Sequence, residues 1–283
     1  MKIKDFIKIR SKEALKNNKE ESAVILLLEH ILGVSPSKLY LMMEDDIAID
    51  KTSKFDSDFS KYLYENKPIQ HIIGYSTFYG YDFIVNEDVL IPRRETEELV
   101  ENILYLYDDY FKGQDIDVCD LATGSGNIAI TLKKEEEHMH ITATDISKKA
   151  LDVAKMNAKK LDADVNFIEG DMLNPVLGMK FDIFISNPPY IPDEEYVESL
   201  VKDNEPNIAL FGGEDGLKFY HIILEGVKPL LKEKAIIAFE HGYDKKEALT
   251  KIALENFPDA RVEVIKDLEG KDRMMFIFVG DFK

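Results

Sequence analysis

Two short stretches of this chain combine residue types and spacing that can do chemistry. The first is Asp120-Leu121-Ala122-Thr123-Gly124-Ser125-Gly126-Asn127. Its glycines permit a tight turn and close approach of the backbone to a ligand. A helix opening just after it would offer unpaired N–H groups to a carboxylate or phosphate. Asp145 stands 21 residues beyond Gly124, where an acid at a strand end accepts hydrogen bonds from both hydroxyls of a ribose. Together these residues suit a cofactor that contains a nucleoside. The spacing Gly124-x-Gly126-x-x-Ala129 also suits a dinucleotide, so this motif by itself does not choose between NAD and S-adenosylmethionine.

The second stretch is Asn187-Pro188-Pro189-Tyr190. Two prolines fix φ and hold the residues before them extended, so the backbone carbonyls are stiff. A planar amide or arylamine NH₂ has two donors; one fits the Asn187 side-chain oxygen and the other the Pro188 carbonyl. Those bonds draw the nitrogen toward a tetrahedral shape and free its lone pair. Tyr190 can lie against the flat face of the substrate group, with Pro189 completing the substrate wall. Such a site needs positioning more than a strong base, and it selects a methyl donor, S-adenosylmethionine, over NAD.

These motifs need elements to hold them. Residues 1–66 carry apolar residues only at helical spacing: Phe6, Ile7, Ala14 and Leu15, then Ala23, Leu27, Ile31 and Leu32. Ser37 is expected to cap a helix carrying Leu39 to Met43, and a fourth helix to hold Phe55, Phe59, Tyr62 and Leu63. Residues 67–95 are aromatic and punctuated by glycine, with Phe78 and Phe83 flanking a Tyr-Gly-Tyr turn. They read as a β-hairpin connector whose aromatics are expected to line a crevice with Tyr190. Residues 96–283 alternate strand and helix. Expected strands are Ile116–Leu121, Ile141–Asp145, Val165–Ile168, Phe181–Ser186 and Ala235–Glu240. The tail adds Ala260–Lys266 and Met274–Val279, antiparallel because a short turn joins them. Ser147 is expected to cap the helix bearing Ala150, Leu151, Ala154 and Leu161. The fold class is α/β: a seven-stranded, doubly wound, Rossmann-like domain with a small N-terminal helical bundle.

Composition removes other classes. The 283 residues suggest about two domains. A net charge of −18 disfavours a general duplex-DNA binder, which needs Lys and Arg to displace counterions. One cysteine, Cys119, excludes an internal disulfide and fits a reducing compartment. No apolar run reaches the ~18 residues of a membrane span, and the charged N-terminus lacks a signal-peptide pattern; a cytoplasmic protein is expected. His138 and His140 lack further ligands nearby, so no metal is expected. Cys119 reads as a buried small hydrophobe.

The Asn-Pro-Pro-aromatic tetrapeptide after a strand resembles that of amino-group methyltransferases acting on adenine, cytosine or glutamine. More specific stretches surround it: Pro68-Ile69-Gln70-His71-Ile72-Ile73-Gly74, Val89-Leu90-Ile91-Pro92-Arg93, Glu95-Thr96-Glu97, Glu205-Pro206, Phe211-Gly212-Gly213-Glu214-Asp215-Gly216-Leu217 and Asp267-Leu268-Glu269-Gly270-Lys271-Asp272-Arg273. With these, the chain from about residue 20 onward resembles the release factor glutamine methyltransferases, the protein-(glutamine-N5) methyltransferases of the HemK/PrmC type. The resemblance implies a class I methyltransferase domain. It implies a cofactor loop over Ala122, Thr123, Gly124, Ser125 and Gly126, with Asp145 on the ribose, Met172 beside the adenine and Asn187 also near the cofactor. Asn187, Pro188 and Tyr190 would be catalytic, and Asn187 to Tyr190 would hold the substrate glutamine. The implied partners are peptide chain release factors 1 and 2, through their Gly-Gly-Gln loop, with residues 1–66 as a recognition domain in a monomeric enzyme that contacts neither nucleic acid nor membrane. DNA adenine-N6 methylation is the alternative. Two residues depart from the family pattern. Ala122 replaces a frequent Gly, and its methyl is expected to be tolerated if its φ is negative. Arg94 follows Arg93 where Pro is usual, leaving the contribution of Arg93, Arg94 and Glu95 to the substrate mouth open.

Overall fold

The computed structural model describes residues 1–282. In chain order its principal elements are α1 (Ile3–Lys16), α2 (Ser22–Leu32), α3 (Pro36–Leu41), α4 (Ile49–Tyr64), α5 (Ile69–Ile73), β1 (Tyr75–Phe78) and β2 (Tyr81–Ile84). Then follow α6 (Arg94–Tyr110), β3 (Ile116–Leu121), α7 (Asn127–Glu135), β4 (Met139–Asp145), α8 (Lys148–Leu161), β5 (Asn166–Glu169) and β6 (Phe181–Ser186). The last are α9 (Ser199–Lys202), α10 (Lys218–Gly226), β7 (Leu231–Glu240), α11 (Lys246–Asn256), β8 (Arg261–Lys266) and β9 (Asp272–Val279).

The chain divides into two units. The first comprises Met1–Tyr75 with Val197–Asn204; the second comprises Ser76–Tyr196 with Glu205–Lys283. The first is helical. Phe6, Leu27, Leu28, Phe55 and Phe59 form its buried centre, with Phe6 edge-on to Phe55 at 4.9 Å between ring centroids. Each such side chain contributes roughly 1.5–3 kcal/mol by leaving water. The helical unit runs past the expected boundary at 66 because α5 buries Ile69 and Ile73 in the same core. The cap of α3 also differs from expectation. It is Ser35, whose hydroxyl accepts from the Lys38 N–H at 3.3 Å, not Ser37. Pro36 then occupies the first helical position, where its missing N–H removes no bond.

In the second unit a seven-stranded sheet has the order β5-β4-β3-β6-β7-β9-β8. Neighbours from β5 to β7 are parallel, while β9 runs antiparallel to β7 and β8. All seven expected strands are present, with ends differing by a few residues. Strand alternation supplies two cores. Ile236 and Ala238 of β7 face the cluster built on Leu99, Ile103 and Tyr107 of α6. Ala235, Ile237 and Phe239 face that of Tyr220, Ile223 and Leu224 from α10 with Leu249 from α11. β6 is buried throughout, as befits a central parallel strand. The chain turns one way from β3 to β4 and the other way to reach β6, so a crevice opens at the carboxyl ends of β3 and β6.

β1 and β2 form the expected hairpin. Tyr79 and Gly80 both have positive φ, 50° and 79°, as a tight two-residue turn requires. Phe78 and Phe83 pack edge to face at 5.9 Å inside the α6 core. The connector aromatics are therefore core residues and do not line the crevice, a correction to the expectation. Period-2 alternation sends these rings to the sheet's helical layer.

Candidate active site

At the carboxyl ends of β3, β4 and β6 lies a pocket of about 370 Å³, within the size range of small-molecule sites. Ala122, Thr123, Gly124, Ser125, Asp145, Met172, Asn187 and Pro189 line it. Gly126, Pro188 and Tyr190 adjoin these lining residues in the chain and are not themselves among them. The connector contributes Asp88, Val89, Leu90, Pro92 and Arg93; Pro206, Ile208, Ala209, Lys218 and Phe219 come from segments after residue 204.

The loop after β3 is held by its own chemistry. Thr123 Oγ1 donates to Asp120 Oδ2 at 2.5 Å. Asp120 is fully buried, and desolvation pushes its carboxyl up to about 7. The backbone turns through positive φ at Ala122 (61°), Gly124 (56°) and Gly126 (79°). Gly126 precedes α7 and has no side chain to cap it; the Ala129 N–H is taken up by the Asp120 carboxylate, leaving the N–H groups ahead of it for an anion. A Cβ on Gly126 would come 2.8 Å from Ile130 Cδ1 and 3.1 Å from Ala154 Cβ, so α7 and α8 approach as they do only because that residue is glycine. Ala122 does not meet the condition of a negative φ. The loop geometry is set by Gly124 and Gly126 and by the Asp120–Thr123 bond, and the alanine is carried into the left-handed region with them, at a strain of roughly 1–2 kcal/mol.

Asp145 ends β4. Its Oδ2 accepts the Gly124 N–H at 2.9 Å and its Oδ1 the Ser147 N–H at 2.8 Å. The Ile146 N–H also points to this carboxylate, and its remaining acceptor capacity faces the pocket. Burial raises its pKa. Ser147 caps α8 as expected, accepting from the Ala150 N–H at 3.2 Å. Beside Asp145, the buried Thr144 hydroxyl has no protein partner. Met172 also lies at positive φ, 46°. An orphaned hydroxyl, a carboxylate with spare lone pairs and the glycine-led loop before α7 fit the ribose and the carboxylate of S-adenosylmethionine.

Asn187 leaves β6 into the pocket. Its Nδ2 donates to Thr96 Oγ1 at 3.3 Å, and Thr96 Oγ1 donates to Glu240 Oε2 at 2.6 Å. Tyr190 OH donates to the other oxygen of Glu240 at 3.2 Å. Burial raises Glu240, against the pull of the Arg273 charge. The tetrapeptide is buttressed by the Phe211–Leu217 loop. The Ile191 N–H donates to the Leu210 carbonyl at 3.0 Å and the Gly212 N–H to the Ile191 carbonyl at 2.8 Å. A Cβ on Gly216 would overlap the Tyr190 carbonyl oxygen.

Sequence reasoning assigned no role to Thr96, Glu205 or Glu240. Glu205 is buried, accepts the Ile91 N–H at 2.8 Å and pairs with Arg93 at 2.5 Å. Arg93 is thus a strut between two pocket-lining segments. The partners in these pairs are more than a hundred residues apart in sequence, so no local spacing could reveal them. Cys119 is buried in β3, and burial raises its thiol pKa. His138 Nδ1 lies 3.0 Å from Asp115; no metal-capable cluster of three occurs among the described residues. No helix among them is long and apolar enough to cross a membrane.

Sheet order, glycine loop and strand-end acid define a class I methyltransferase domain that uses S-adenosylmethionine. Residues 103–205 match the "Methyltransferase small domain" model and residues 10–74 the "PrmC N-terminal domain" model. A crystal structure of a methyltransferase from Pyrococcus furiosus superposes with a TM-score of 0.53 at 15% identity, covering 82% of this chain and 99% of that one. A release factor glutamine methyltransferase of Bacillus cereus is 42% identical over 98% of this chain and 99% of its own length. That of Bacillus subtilis is 42% identical over 96% of each. The chain belongs to the release factor glutamine methyltransferase family.

Proposed function

We propose that this protein transfers a methyl group from S-adenosylmethionine to the side-chain amide nitrogen of the glutamine in the Gly-Gly-Gln motif of peptide chain release factors 1 and 2. The observation that carries the reading is the placement of Asn187 and Pro189 on one pocket wall with Asp145 and the loop Ala122–Ser125. Bound there, S-adenosylmethionine supplies an electrophilic methyl group on a sulfonium sulfur. Asp145 holds the ribose, the loop and the start of α7 receive the carboxylate, and Met172 packs beside the adenine. The Asn187 side-chain oxygen and the Pro188 carbonyl each accept one N–H of the substrate amide. This orients the nitrogen lone pair toward the methyl carbon; as the N–C bond forms the methyl–sulfur bond breaks with its electron pair left on sulfur, giving S-adenosylhomocysteine, and the amide proton then leaves to solvent. Tyr190, its hydroxyl tied to Glu240, stiffens the wall behind the tetrapeptide. Positioning and preorganised acceptors supply the rate, and no strong base is required.

The division of labour follows the same reading. Residues 1–66, continuing to Tyr75, recognise the release factor; 67–95 connect; 96–283 catalyse, in a monomeric cytoplasmic enzyme. A glutamine loop alone offers too little surface for a specific protein complex, which usually buries more than ~1,000 Å². Adenine in duplex DNA is the weaker substrate, because base flipping must be offset by phosphate contacts and the chain carries a net −18. The test is mass spectrometry of purified release factor and, in parallel, duplex DNA incubated with the full chain and S-adenosylmethionine. Methyl incorporation into release factor is expected, lost when the Gly-Gly-Gln glutamine becomes alanine. Labelled DNA adenine with an unmodified release factor would overturn the proposal.

A further inference from the structure

An asparagine amide has two orientations, and only one suits an amino-group substrate. With Oδ1 toward the substrate, Asn187 accepts an N–H; with Nδ2 there, two donors meet. What decides between them is a buried chain of hydrogen bonds that runs from Thr96, in the pocket wall, to Glu240. Glu240 closes β7 and Thr96 lies in the first turn of α6, both about 2% exposed. Thr96 Oγ1 stands 2.6 Å from Glu240 Oε2 and 3.3 Å from the Asn187 amide. A hydroxyl has one proton, and a carboxylate can only accept. The short contact commits that proton to Glu240, so Thr96 can only accept from Asn187. Asn187 must then turn its NH₂ toward Thr96 and leave Oδ1 for the pocket. The reverse orientation would set two acceptor oxygens 3.3 Å apart and bury them unpaired.

The carboxylate at the head of this chain is itself held. Tyr190 OH bonds its second oxygen at 3.2 Å, and Tyr220 OH bonds the Glu240 main-chain carbonyl at 2.7 Å. Burial raises the Glu240 pKa, and the hydrogen bonds from Thr96 and Tyr190 and the charge of Arg273 act against that rise. Resting on the function proposed above, we propose that Thr96 and Glu240 are positioning residues for methyl transfer: the relay Glu240–Thr96–Asn187 fixes the Asn187 amide with its oxygen presented to the substrate nitrogen. It links α6, β6 and β7, so the acceptor is set before substrate arrives.

The test compares Thr96→Val, Thr96→Ser and Glu240→Gln with the wild type in kcat and KM toward release factor, and in S-adenosylmethionine affinity by calorimetry. Valine matches threonine in shape and lacks the hydroxyl. One lost orienting bond predicts a kcat about tenfold lower, with KM and cofactor affinity within twofold. Serine restores the hydroxyl and kcat. In Glu240→Gln the new amide can donate to Thr96, freeing its proton for Asn187 Oδ1, so kcat falls again. Wild-type kcat in Thr96→Val or Glu240→Gln would overturn the relay. So would Thr96→Ser as slow as Thr96→Val, or a loss confined to KM or cofactor affinity, since each marks simple packing. A wild-type protein that leaves release factor unmethylated would instead refute the function itself.

Discussion

Replacing Asp145 by alanine should weaken S-adenosylmethionine binding by about two orders of magnitude or more. Each of its oxygens already accepts one backbone N–H, from Gly124 at 2.9 Å and Ser147 at 2.8 Å, which fixes the carboxylate plane. In the proposed function the ribose hydroxyls donate to the acceptor capacity that remains. Hydrogen bonds to a charged group contribute roughly 1.5–3 kcal/mol each, so two contribute about 3–6 kcal/mol. Water entering the half-open pocket recovers part of that, leaving about 3 kcal/mol, or a Kd about 10²-fold higher. Alanine also strands the Gly124 N–H, so the glycine loop loosens and the loss moves toward the upper end. Asp145→Asn keeps the volume but has one acceptor oxygen and an NH₂, which sets a donor against Gly124 or Ser147. It should weaken binding by at least about tenfold. Isothermal titration calorimetry at fixed pH and salt measures both, with thermal denaturation confirming the fold. A Kd within threefold of wild type in Asp145→Ala would show that the ribose is held elsewhere.

Further outcomes follow from the same geometry. Asn187→Ala should lower turnover on release factor by roughly 10²–10³ while cofactor affinity stays within a few-fold, and wild-type turnover would remove Asn187 from the mechanism. Ala122→Gly should raise stability by about 0.5–1 kcal/mol, because relief of the left-handed strain at φ 61° exceeds the added unfolded-state entropy; a lower melting temperature would contradict the strain. Asp120 has its carboxyl raised from 3.8 to about 7, so the native state retains a proton that the unfolded chain releases. Stability from this group is full below about pH 4 and declines as pH rises to about 7, by about 4 kcal/mol at 1.36 kcal/mol per unit. Denaturant titrations across that window should show a shallower decline in Asp120→Asn, and an unchanged slope would place the proton elsewhere.

Local chemistry was legible in the sequence wherever one element carries it. β3 and β6 match their expected limits, because short, largely apolar β-branched and aromatic stretches bounded by turn residues read as buried parallel strands. The loop Ala122–Gly126, the acid Asp145, the Ser147 cap and the tetrapeptide at Asn187 each sit where strand ends and turn residues dictate, and strand order then gathers them at one crevice. The connector aromatics were misread because an aromatic run has the same look at a pocket and in a core; only the pairing of β1 with β2 turned Phe78 and Phe83 inward. Ala122 was misjudged because its φ is imposed by neighbours on both sides, not by its own side chain. Thr96, Glu205 and Glu240 were illegible as partners. Their meaning lies in bonds spanning 144 residues between Thr96 and Glu240 and 112 between Arg93 and Glu205. The sequence by itself determined which motifs carry groups able to bind and react. The tertiary structure alone decided which way the Asn187 amide points, because a hydrogen bond's direction depends on the partner's proton, and that partner arrives from another part of the chain.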